Sequence, residues 1–303
     1  MRKILIILAA YNGKPWLVSQ LRSLLDQEGV DLRVLIGDDC STDGCVDSLN
    51  INLHDERVQI LRFAESSGSA GQNFLRILAQ ADLAGFDYVA FSDQDDLWHK
   101  NKLERGIDMV QSKNADGYSS SVTAFWPDGR EQVLSQSPNI TDLDFLFEGA
   151  GQGCTFVLRG DFARQVQQFV CRNQRLLNGI HYHDWLVYAV SRAMGKCWVF
   201  DPEPSMRYRQ HGGNDTGARG AFVGVKKRLG LIRNGWYVEQ VRQMIAVVSA
   251  LNANALPSDF SAVWYRTPGI VRRLQLAVLL LARGRRRALD RAVLAVSSLL
   301  GWI

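Results

Sequence analysis

Short apolar runs alternate with helix-like patterns along the first third of the chain. The apolar runs cover residues 4–10, 32–37, 57–63 and 88–91, and apolar positions recur with helical spacing at 15–27 and 70–81. This alternation predicts βαβ units, and apolar runs bounded by polar turns are typical of parallel strands that helices cover on both faces. We therefore predict an α/β fold with a doubly wound, mostly parallel sheet flanked by helices.

Polar and acidic residues follow these predicted strands. The first strand ends at Tyr11 and Asn12, the second at Asp38 and Asp39, and the fourth at the run Asp93-Gln94-Asp95-Asp96. Open α/β sheets bind their ligands in the crevice at the carboxyl ends of the strands. We therefore expect these residues to carry the chemistry. A nicotinamide dehydrogenase is excluded, because no GxGxxG motif follows the first strand.

The acidic run at 93–96 predicts a metal site. Crowded carboxylates raise each other's proton affinity unless a cation lies between them. Mg²⁺ or Mn²⁺ binds well to one or two carboxylates together with the phosphate oxygens of a substrate. We interpret the run as a site for a divalent cation and a diphosphate. The alternative is an acidic cap on the helix that begins near Lys100.

Asp38 and Asp39 close the second predicted strand. One carboxylate could accept a hydrogen bond from a nucleobase N–H and the other from a ribose hydroxyl, a role that acidic residues have in nucleotide-binding sheets. The alternative is an Asx turn with a solvated acid. Both interpretations place the pair at the ligand-binding edge of the sheet.

The second half of the chain offers further candidate residues. Gly149, Gly151 and Gly153 precede a strand pattern at 155–158, which indicates either a close backbone approach to a ligand or a bulged loop. Asp184 precedes a helical pattern and could be a general base or the N-cap of that helix.

His211 and Arg209 form another candidate group. Arg209 could neutralise phosphate charge, and His211, which two glycines follow, could reach a diphosphate or complete a metal coordination shell. The alternative for His211 is a solvated loop histidine. His183 is predicted to lie in a loop as well.

Four segments occur together in the order and approximate spacing of a known family. They are residues 9–13, 38–44, 93–96 and 183–185, which read AAYNG, DDCSTDG, DQDD and HDW. Over its first 211 residues the chain resembles glycosyltransferase family 2, the inverting transferases with a GT-A fold. The segment Tyr208-Arg209-Gln210-His211 with Gly213-Asn214 is similar to the branch of bacterial rhamnosyltransferases.

The resemblance implies a nucleotide-sugar donor and assigns residues to it. Tyr11 and Asn12 would border the base and ribose of the donor. Asp39, together with Asp38, would hold the nucleoside.

The resemblance also implies a metal ligand set and a base. Asp93 and Asp95 would form the acidic motif beside the diphosphate, with Asp96 as the second candidate for Asp95. The metal shell that His211 could complete is the one inferred above from its neighbouring residues. Asp184 would take the proton of the acceptor hydroxyl. Family members usually carry a second acid before this base, where the present chain has a histidine.

Charge is distributed unevenly along the chain. Residues 1–204 hold 19 basic and 27 acidic side chains, whereas residues 205–303 hold 16 basic and 4 acidic ones. An acidic body followed by a basic segment predicts a first part that holds cations and a second part that meets anions. We predict a catalytic domain at 1–221 and a basic, amphipathic helical region at 222–303.

The basic region predicts contact with an anionic membrane surface. Its arginine and lysine runs lie at 226–228, 272–273 and 283–287, beside helices rich in apolar residues. Trp264, Tyr265, Leu274, Leu279 and Leu280 would enter the headgroup layer while the arginines meet anionic lipid. The alternative is a helical cap that packs on the body. Nucleic acid is excluded as a partner, because no recognisable nucleic-acid-binding motif accompanies the basic residues.

The expected compartment is the cytoplasm, on the inner face of a bacterial inner membrane. Five cysteines lack metal-ligand spacing, which favours a reducing environment. No window reaches the roughly 18–20 apolar residues of a membrane-spanning helix. The apolar run at 4–10 is followed by turn residues, so we interpret it as a buried strand and not as a signal peptide.

These observations and the resemblance together predict a metal-dependent inverting glycosyltransferase. It would move a sugar, L-rhamnose from dTDP-L-rhamnose, onto a saccharide or lipid-linked acceptor in bacterial surface polysaccharide biosynthesis. Two alternatives remain at this point. One is a family 2 transferase that uses a UDP-sugar, and the other is a catalytically silent nucleotide-sugar or glycan-binding protein at the membrane.

Overall fold

The computed structural model of the protein describes residues 1–52, 55–212 and 229–303. The predicted domain boundary between residues 221 and 222 lies outside the described residues, as do Gly213-Asn214 and Lys226-Lys227-Arg228.

A nine-stranded mixed sheet forms the centre of the molecule. Its strands are β1 (Arg2–Ala10), β2 (Val30–Asp38), β3 (Val58–Arg62), β4 (Tyr88–Ser92), β5 (Leu97–Trp98), β6 (Gly117–Phe125), β7 (Glu131–Leu134), β8 (Val157–Arg159) and β9 (Trp198–Arg209). The strand order is β3-β2-β1-β4-β8-β6-β9-β5, and β7 pairs with β6.

The helices follow the strands in a βαβ rhythm and then form a C-terminal group. They are α1 (Leu17–Leu25), α2 (Cys45–Asn52), α3 (Ala70–Gln80), α4 (Lys102–Ser112), α5 (Asp144–Phe147), α6 (Gly160–Arg172), α7 (Gln174–Leu177), α8 (His183–Ala193), α9 (Trp236–Leu251), α10 (Ser258–Arg266), α11 (Gly269–Arg283) and α12 (Ala288–Leu299). None of the described helices is long and apolar enough to cross a membrane.

The α/β prediction is confirmed, and the sheet divides into two halves. Strands β3, β2, β1 and β4 are parallel neighbours. Beyond β4 the pairings of β8, β6 and β5 are antiparallel, and only β9 runs parallel to its neighbour β6 among the described strands. The parallel half gives the continuous apolar runs in the sequence, because its strands are covered on both faces.

Helices cover both faces of the sheet. On one face, Phe74 of α3, Phe162 of α6 and Leu186 of α8 belong to one buried cluster. On the other face, Leu21 of α1 and Ile107 of α4 belong to a second cluster. The residues at the carboxyl ends of β1, β2 and β4 therefore stand at the rim of a sheet that is fixed from both sides.

The C-terminal helices pack on the sheet's larger core. Val241 of α9, Leu276 and Leu280 of α11 and Leu294 of α12 are buried in the same cluster as α3 and α8. The prediction that Leu280 enters a headgroup layer is therefore wrong, because its side chain is part of this core. Leu279 is partly buried against the same cluster.

Two arginines of the run at 283–287 bind carboxylates of the protein. Arg283 forms ion pairs with Asp142, at 2.7 Å, and with Asp259. Arg285 lies 3.2 Å from Glu148. The prediction that these arginines meet anionic lipid is corrected, because their charges are neutralised within the fold.

Arg286 is the most deeply buried member of the same run. Its Nη1 lies 3.2 Å from Asp144, its Nη2 donates to the carbonyl of Gly149 at 2.7 Å, and its backbone N–H donates to Glu148. Only 5% of the residue is exposed. This arginine fastens the C-terminal helices to the segment that contains α5 and the following glycine-rich loop.

Candidate active site

The loops after β1 and β4 are joined by the side chain of Gln94. The Tyr11 N–H donates to Gln94 Oε1, and Gln94 Nε2 donates to the Tyr11 carbonyl, both at 2.9 Å. A Cβ at Gly13 would lie 2.2 Å from Gln94 Oε1, so a larger residue there would displace the Gln94 amide from this junction. The Tyr11 side chain remains 53% exposed beside this junction.

The loops after β1 and β2 are joined by Asn12. This residue has a φ of 48°, a left-handed conformation that asparagine tolerates better than most residues. Its Oδ1 accepts from the Thr42 N–H at 2.9 Å, and its own N–H donates to Ser41 Oγ at 3.0 Å. The predicted nucleoside residues therefore lie on loops that hold one another in place.

Asp38 and Asp39 are both buried but have different partners. Asp38 accepts from the Ser41 N–H, three residues on, at 3.1 Å and is 5% exposed, so it is not the solvated acid of an Asx turn considered above. Asp39 accepts from the N–H and Oγ of Ser67, at 2.6 and 2.8 Å, and forms an ion pair with Arg76. The negative charge of Asp39 is therefore matched by an arginine of α3.

The partners of Asp39 were not predicted from the sequence. Arg76 lies within α3, and its guanidinium carbon is 3.5 Å from the centre of the Phe63 ring. Ser67 lies in the loop before that helix. Neither residue belongs to a local motif, and only the packing of α3 beside β2 brings them to the acid.

The acidic run after β4 is not a helix cap. Helix α4 begins at Lys102 and its N-cap residue is Asn101, so the run lies well before the helix. Asp96 is fully buried and accepts from the Arg209 N–H at 3.1 Å. Burial, followed by the charges of Asp95 and Asp93, raises the pKa of Asp96 well above its usual range.

Strand β9, which the sequence analysis did not predict, brings Arg209 and His211 to the acidic run. His211 Nε2 lies 2.6 Å from Asp95 Oδ2, and the imidazole stacks on Trp16 with ring centres 4.2 Å apart. Arg209 Nε donates to the Asp95 carbonyl at 2.7 Å. His211 is therefore not a solvated loop histidine.

The residues at this loop fit a divalent cation. Ligand atoms of Asp93, Asp96 and Cys154 lie within 4.8 Å of one another. Within residues 1–52, 55–212 and 229–303 the buried Asp96 Oδ2 has no hydrogen-bond partner, although such atoms are normally satisfied in folded proteins. Asp95 and His211 add a second pair of ligand atoms beside the first group. Carboxylate oxygens with one imidazole form a donor set suited to Mn²⁺ or, with fewer protein ligands, Mg²⁺.

Two buried residues next to the acidic run were missed. Burial and the charges of Asp93 and Asp96 raise the pKa of the Cys154 thiol well above its usual range. The Lys102 ammonium lies 3.5 Å from the centre of the Trp98 ring, and burial lowers its pKa to about 7. In the sequence, Cys154 follows the glycine cluster and Lys102 opens a helix, and neither position marks them as neighbours of the acids.

Asp184 lies at the start of α8 and is not exposed like an ordinary surface acid. It accepts from the Trp185 N–H at 2.7 Å and from the Gly153 N–H, and it is only partly accessible. Burial raises the pKa of Asp184 to about 6. The N-cap of α8 is Tyr182, so Asp184 does not have the capping role considered above.

His183 is a core residue and not part of a loop. It begins α8, stacks on Phe74 with ring centres 3.9 Å apart, and is 8% exposed. Burial lowers the pKa of His183 to about 3, so the ring is neutral at physiological pH. A Cβ at Gly153 would lie 2.4 Å from its Nε2. This glycine is therefore required by packing against α8.

Known proteins are similar to this chain in sequence and in fold. The sequence profile of Glycosyl transferase family 2 matches residues 5–169. The chain is 38% identical over 257 residues to the dTDP-rhamnosyl transferase RfbG of Shigella flexneri, which is 83% of this chain and 85% of that protein. It is 30% identical over 113 residues to the UDP-Glc:alpha-D-GlcNAc-diphosphoundecaprenol beta-1,3-glucosyltransferase WfaP of Escherichia coli, 37% of this chain and 43% of that protein.

Solved structures with the same fold are more distant in sequence. TarS of S. aureus, residues 1–349 in complex with UDP-GlcNAc, has a TM-score of 0.56 and 14% identity, with 100% of this chain and 91% of that chain covered. The mannosyltransferase PcManGT of Pyrobaculum calidifontis, in complex with GDP-Man and Mn²⁺, has a TM-score of 0.52 and 13% identity, with 98% and 86% covered. These likenesses confirm the predicted GT-A-type fold. Because the family profile covers more than half of the chain, the protein belongs to glycosyltransferase family 2 and is a glycosyltransferase.

Proposed function

We propose that the protein transfers L-rhamnose from dTDP-L-rhamnose to a saccharide or lipid-linked acceptor, with inversion at the anomeric carbon. The donor assignment rests on one observation, the likeness to the dTDP-rhamnosyl transferase RfbG across most of both chains. The site supports the reaction type, because acidic residues, a histidine and an arginine surround the carboxyl ends of the parallel strands, where such sheets bind ligands.

In the proposed reaction Asp184 is the general base. The acceptor oxygen forms a bond to the anomeric carbon while the bond from that carbon to the diphosphate oxygen breaks, and the bonding electrons leave with dTDP. The hydroxyl proton passes to the Asp184 carboxylate. A pKa of about 6 makes this carboxylate a stronger base than an ordinary surface aspartate, yet leaves it mostly ionised at neutral pH.

In this proposal Asp93, Asp95 and His211 hold Mg²⁺ or Mn²⁺. The cation would supply positive charge to the departing diphosphate. The imidazole favours Mn²⁺ among the two, since nitrogen ligands bind first-row transition ions better than Mg²⁺. The unpartnered Asp96 Oδ2 makes Asp96 the second candidate ligand. Arg209, anchored on the Asp95 carbonyl, would add a further positive charge to the diphosphate site.

The proposed nucleoside site uses the joined loops after β1 and β2. Tyr11 and Asn12 would border the base and ribose, and Asp38 and Asp39 would accept hydrogen bonds from them. Arg76 fixes the orientation of the Asp39 carboxylate, so the acid can act as a positioned acceptor.

The proposed setting is bacterial surface polysaccharide synthesis at the cytoplasmic face of the inner membrane. The name of WfaP describes a diphosphoundecaprenol acceptor, and its relationship to this chain supports an acceptor of lipid-linked type. An enzyme with such an acceptor works beside a bilayer, in agreement with the predicted contact to anionic lipid.

A UDP-sugar donor is the second candidate. It is favoured by the UDP-glucose in the name of WfaP. A catalytically silent binding protein has no support in the site, because a carboxylate stands at every position that the proposed mechanism needs.

A thermal-shift screen of nucleotide sugars with Mn²⁺ would separate the donors. A ligand that binds the folded state at a hundredfold excess over its Kd adds about 2.7 kcal/mol of stability. We expect dTDP-L-rhamnose to raise Tm more than UDP-glucose, UDP-GlcNAc or GDP-mannose, with dTDP alone as the control for the nucleotide. Equal shifts with UDP-sugars would contradict the rhamnosyl proposal and leave the transferase assignment intact.

A further inference from the structure

The outer face of the C-terminal helical hairpin, α11 with α12, is strongly apolar. Nine of the fourteen large apolar side chains that are exposed among the described residues lie on it or directly after it: Ile270, Val271, Leu274, Val278, Leu281, Leu289, Val296, Leu299 and Leu300. Single exposed apolar residues are normal on a soluble surface. A concentration of this kind marks an interaction site.

The spacing of most of these residues follows the helical repeat of α11 and α12. On α11, Ile270, Leu274, Val278 and Leu281 recur every three or four residues and line one side of the helix. Val278 is 68% exposed. The opposite side of α11 is already used, because Leu276 and Leu280 are buried in the protein core. The helix is therefore apolar on two sides, and only one of them has a partner within the fold.

The charges around this face are almost all positive. Residues 266–303 contain eight arginines and a single acidic residue, Asp290. Three of the arginines are used inside the fold, as described above. Arg266, Arg273 and Arg287 are exposed on or beside α11 and α12. An apolar strip with arginines around it combines the two features that bind a helix to an anionic lipid surface.

We propose that the outer face of the α11–α12 hairpin docks on an anionic bilayer, with the apolar side chains in the headgroup region and the exposed arginines against lipid phosphates. A second copy of the chain is disfavoured as the occupant, because a symmetric contact would place the arginines of both copies together. This face of the hairpin would account for the membrane location proposed above, and in that respect the inference rests on the proposed function. Its test needs neither donor nor acceptor.

Vesicle binding of matched glutamate variants tests the apolar face. The full-length protein is mixed with phosphatidylcholine vesicles, with or without phosphatidylglycerol, and the sedimented fraction is measured. We expect binding only to the anionic vesicles. The double variant Leu274→Glu/Val278→Glu should lose at least about tenfold in partition, since it removes apolar contact and adds negative charge. Val133→Glu is the control, because Val133 and Leu274 are both 52% exposed and Val133 lies on β7.

Charge variants test the arginines. Arg266→Glu/Arg273→Glu should weaken binding to phosphatidylglycerol vesicles and reduce its dependence on salt, whereas Arg130→Glu, a control in the exposed turn before β7, should change neither. Donor turnover and Tm in the absence of vesicles should be unaltered in all variants. That readout separates a docking defect from a failure of the transferase.

Three results would overturn the proposal. One is equal sedimentation of the parent protein and the Leu274→Glu/Val278→Glu variant. Another is equal binding of the parent to vesicles with and without phosphatidylglycerol. The third is a change from dimer to monomer in the double variant, measured by light scattering, with vesicle binding retained, which would assign the face to a second copy of the chain.

Discussion

Two charged clusters of this protein are compensated in opposite ways. The positive charges of the arginine run at 283–287 are largely neutralised by four carboxylates of the protein, Asp142, Asp144, Glu148 and Asp259. The acidic run at 93–96 crowds like charges together, and a buried oxygen of Asp96 has no hydrogen-bond partner in the part of the chain that the structure describes. Both runs stand out in the sequence. The difference indicates that the arginines hold the fold together, whereas the acids form a crowded site of like charge that fits the divalent cation proposed above.

Asp184 resembles the acidic run in this comparison, since burial raises its pKa and the hydrogen bonds that it accepts come from the uncharged N–H groups of Trp185 and Gly153. Replacing a general base lowers turnover by about 10²–10⁴-fold. We expect Asp184→Asn to lose activity in this range in a donor-transfer assay. The same variant should be more stable at neutral pH, because asparagine carries no charge that burial disfavours. Full activity, or a lower free energy of unfolding, would place Asp184 with the structural charges.

The pH profile sharpens the role of Asp184. The pKa is raised in the folded protein to about 6, so activity should be half-maximal near that pH, approach a plateau at higher pH, and fall at lower pH as the base is protonated. The stability contribution has the opposite sign: it is lost as the pH rises from the unfolded-state pKa of about 3.9 to the folded-state value. A profile of kcat/KM against pH, with urea unfolding at the same pH values, measures both. The unfolding curve of Asp184→Asn should lack this contribution.

Arg286 should have the largest effect on stability in the arginine run. Removing one partner of a buried ion pair costs about 3–5 kcal/mol, because the remaining charge stays buried. In Arg286→Met, Asp144 keeps Arg192 and Glu148 keeps Arg285, so we expect the free energy of unfolding to fall by an amount near the lower end of this range in urea titrations. The double variant Arg286→Met/Asp144→Asn should cost less than the sum of the single variants. An unaffected Arg286→Met variant would mean that the arginine run does not hold the helices to the body.

Replacing Asp95 should have the opposite effects, with no loss of stability but a loss of metal affinity. In Asp95→Asn one charge of the crowded run is removed, so the metal-free protein should unfold at the same or higher urea concentration. Affinity for Mn²⁺ should fall by about tenfold to a hundredfold or more, because even residues that only support a metal ligand have effects of this size. Electron paramagnetic resonance of the free ion measures this affinity. Glu104→Gln, on the exposed side of α4, is a control that should leave Mn²⁺ affinity unchanged. Retained Mn²⁺ affinity would exclude Asp95 as a ligand.

The smallest effect is expected for a charge pair on the surface. Arg130 lies 2.7 Å from Asp128 in the exposed turn between β6 and β7. Such pairs contribute about 0–1 kcal/mol. Arg130→Ala should therefore leave urea unfolding nearly unchanged. A loss comparable to that of Arg286→Met would show that burial does not decide the importance of these arginines.

Local patterns were sufficient to predict the parallel half of the sheet. The apolar runs at 4–10, 32–37 and 88–91 correspond to β1, β2 and β4, because strands buried on both faces consist of apolar residues throughout. Strand β9 was missed since it contains Pro202 and Pro204, which argue against a strand, and the register of β6 with β9 is irregular in this region.

Contacts between distant parts of the chain could not be predicted. The pairing of Arg76 with Asp39 depends on how α3 packs, and the pairing of Arg286 with Asp144 spans 142 positions of sequence. For this reason the arginines at 283–287 were predicted to contact lipid, whereas in the folded protein Arg283, Arg285 and Arg286 pair with carboxylates. His183 was expected in a loop for the same reason, since its burial beneath Phe74 has no local signal.

The bonds of Arg286 to distant residues affect the order in which the chain folds. Its bonds to Asp144 and Glu148 join residues 142 and 138 positions apart, so these carboxylates leave the ribosome long before their partner is made. Contacts of such separation form late, after costly loop closure. The α/β body therefore completes folding only when the hairpin docks. Truncation before Arg283 would leave Glu148 without Arg285 and Arg286, whereas Asp144 would keep Arg192. The shortened chain would therefore be prone to aggregate during synthesis.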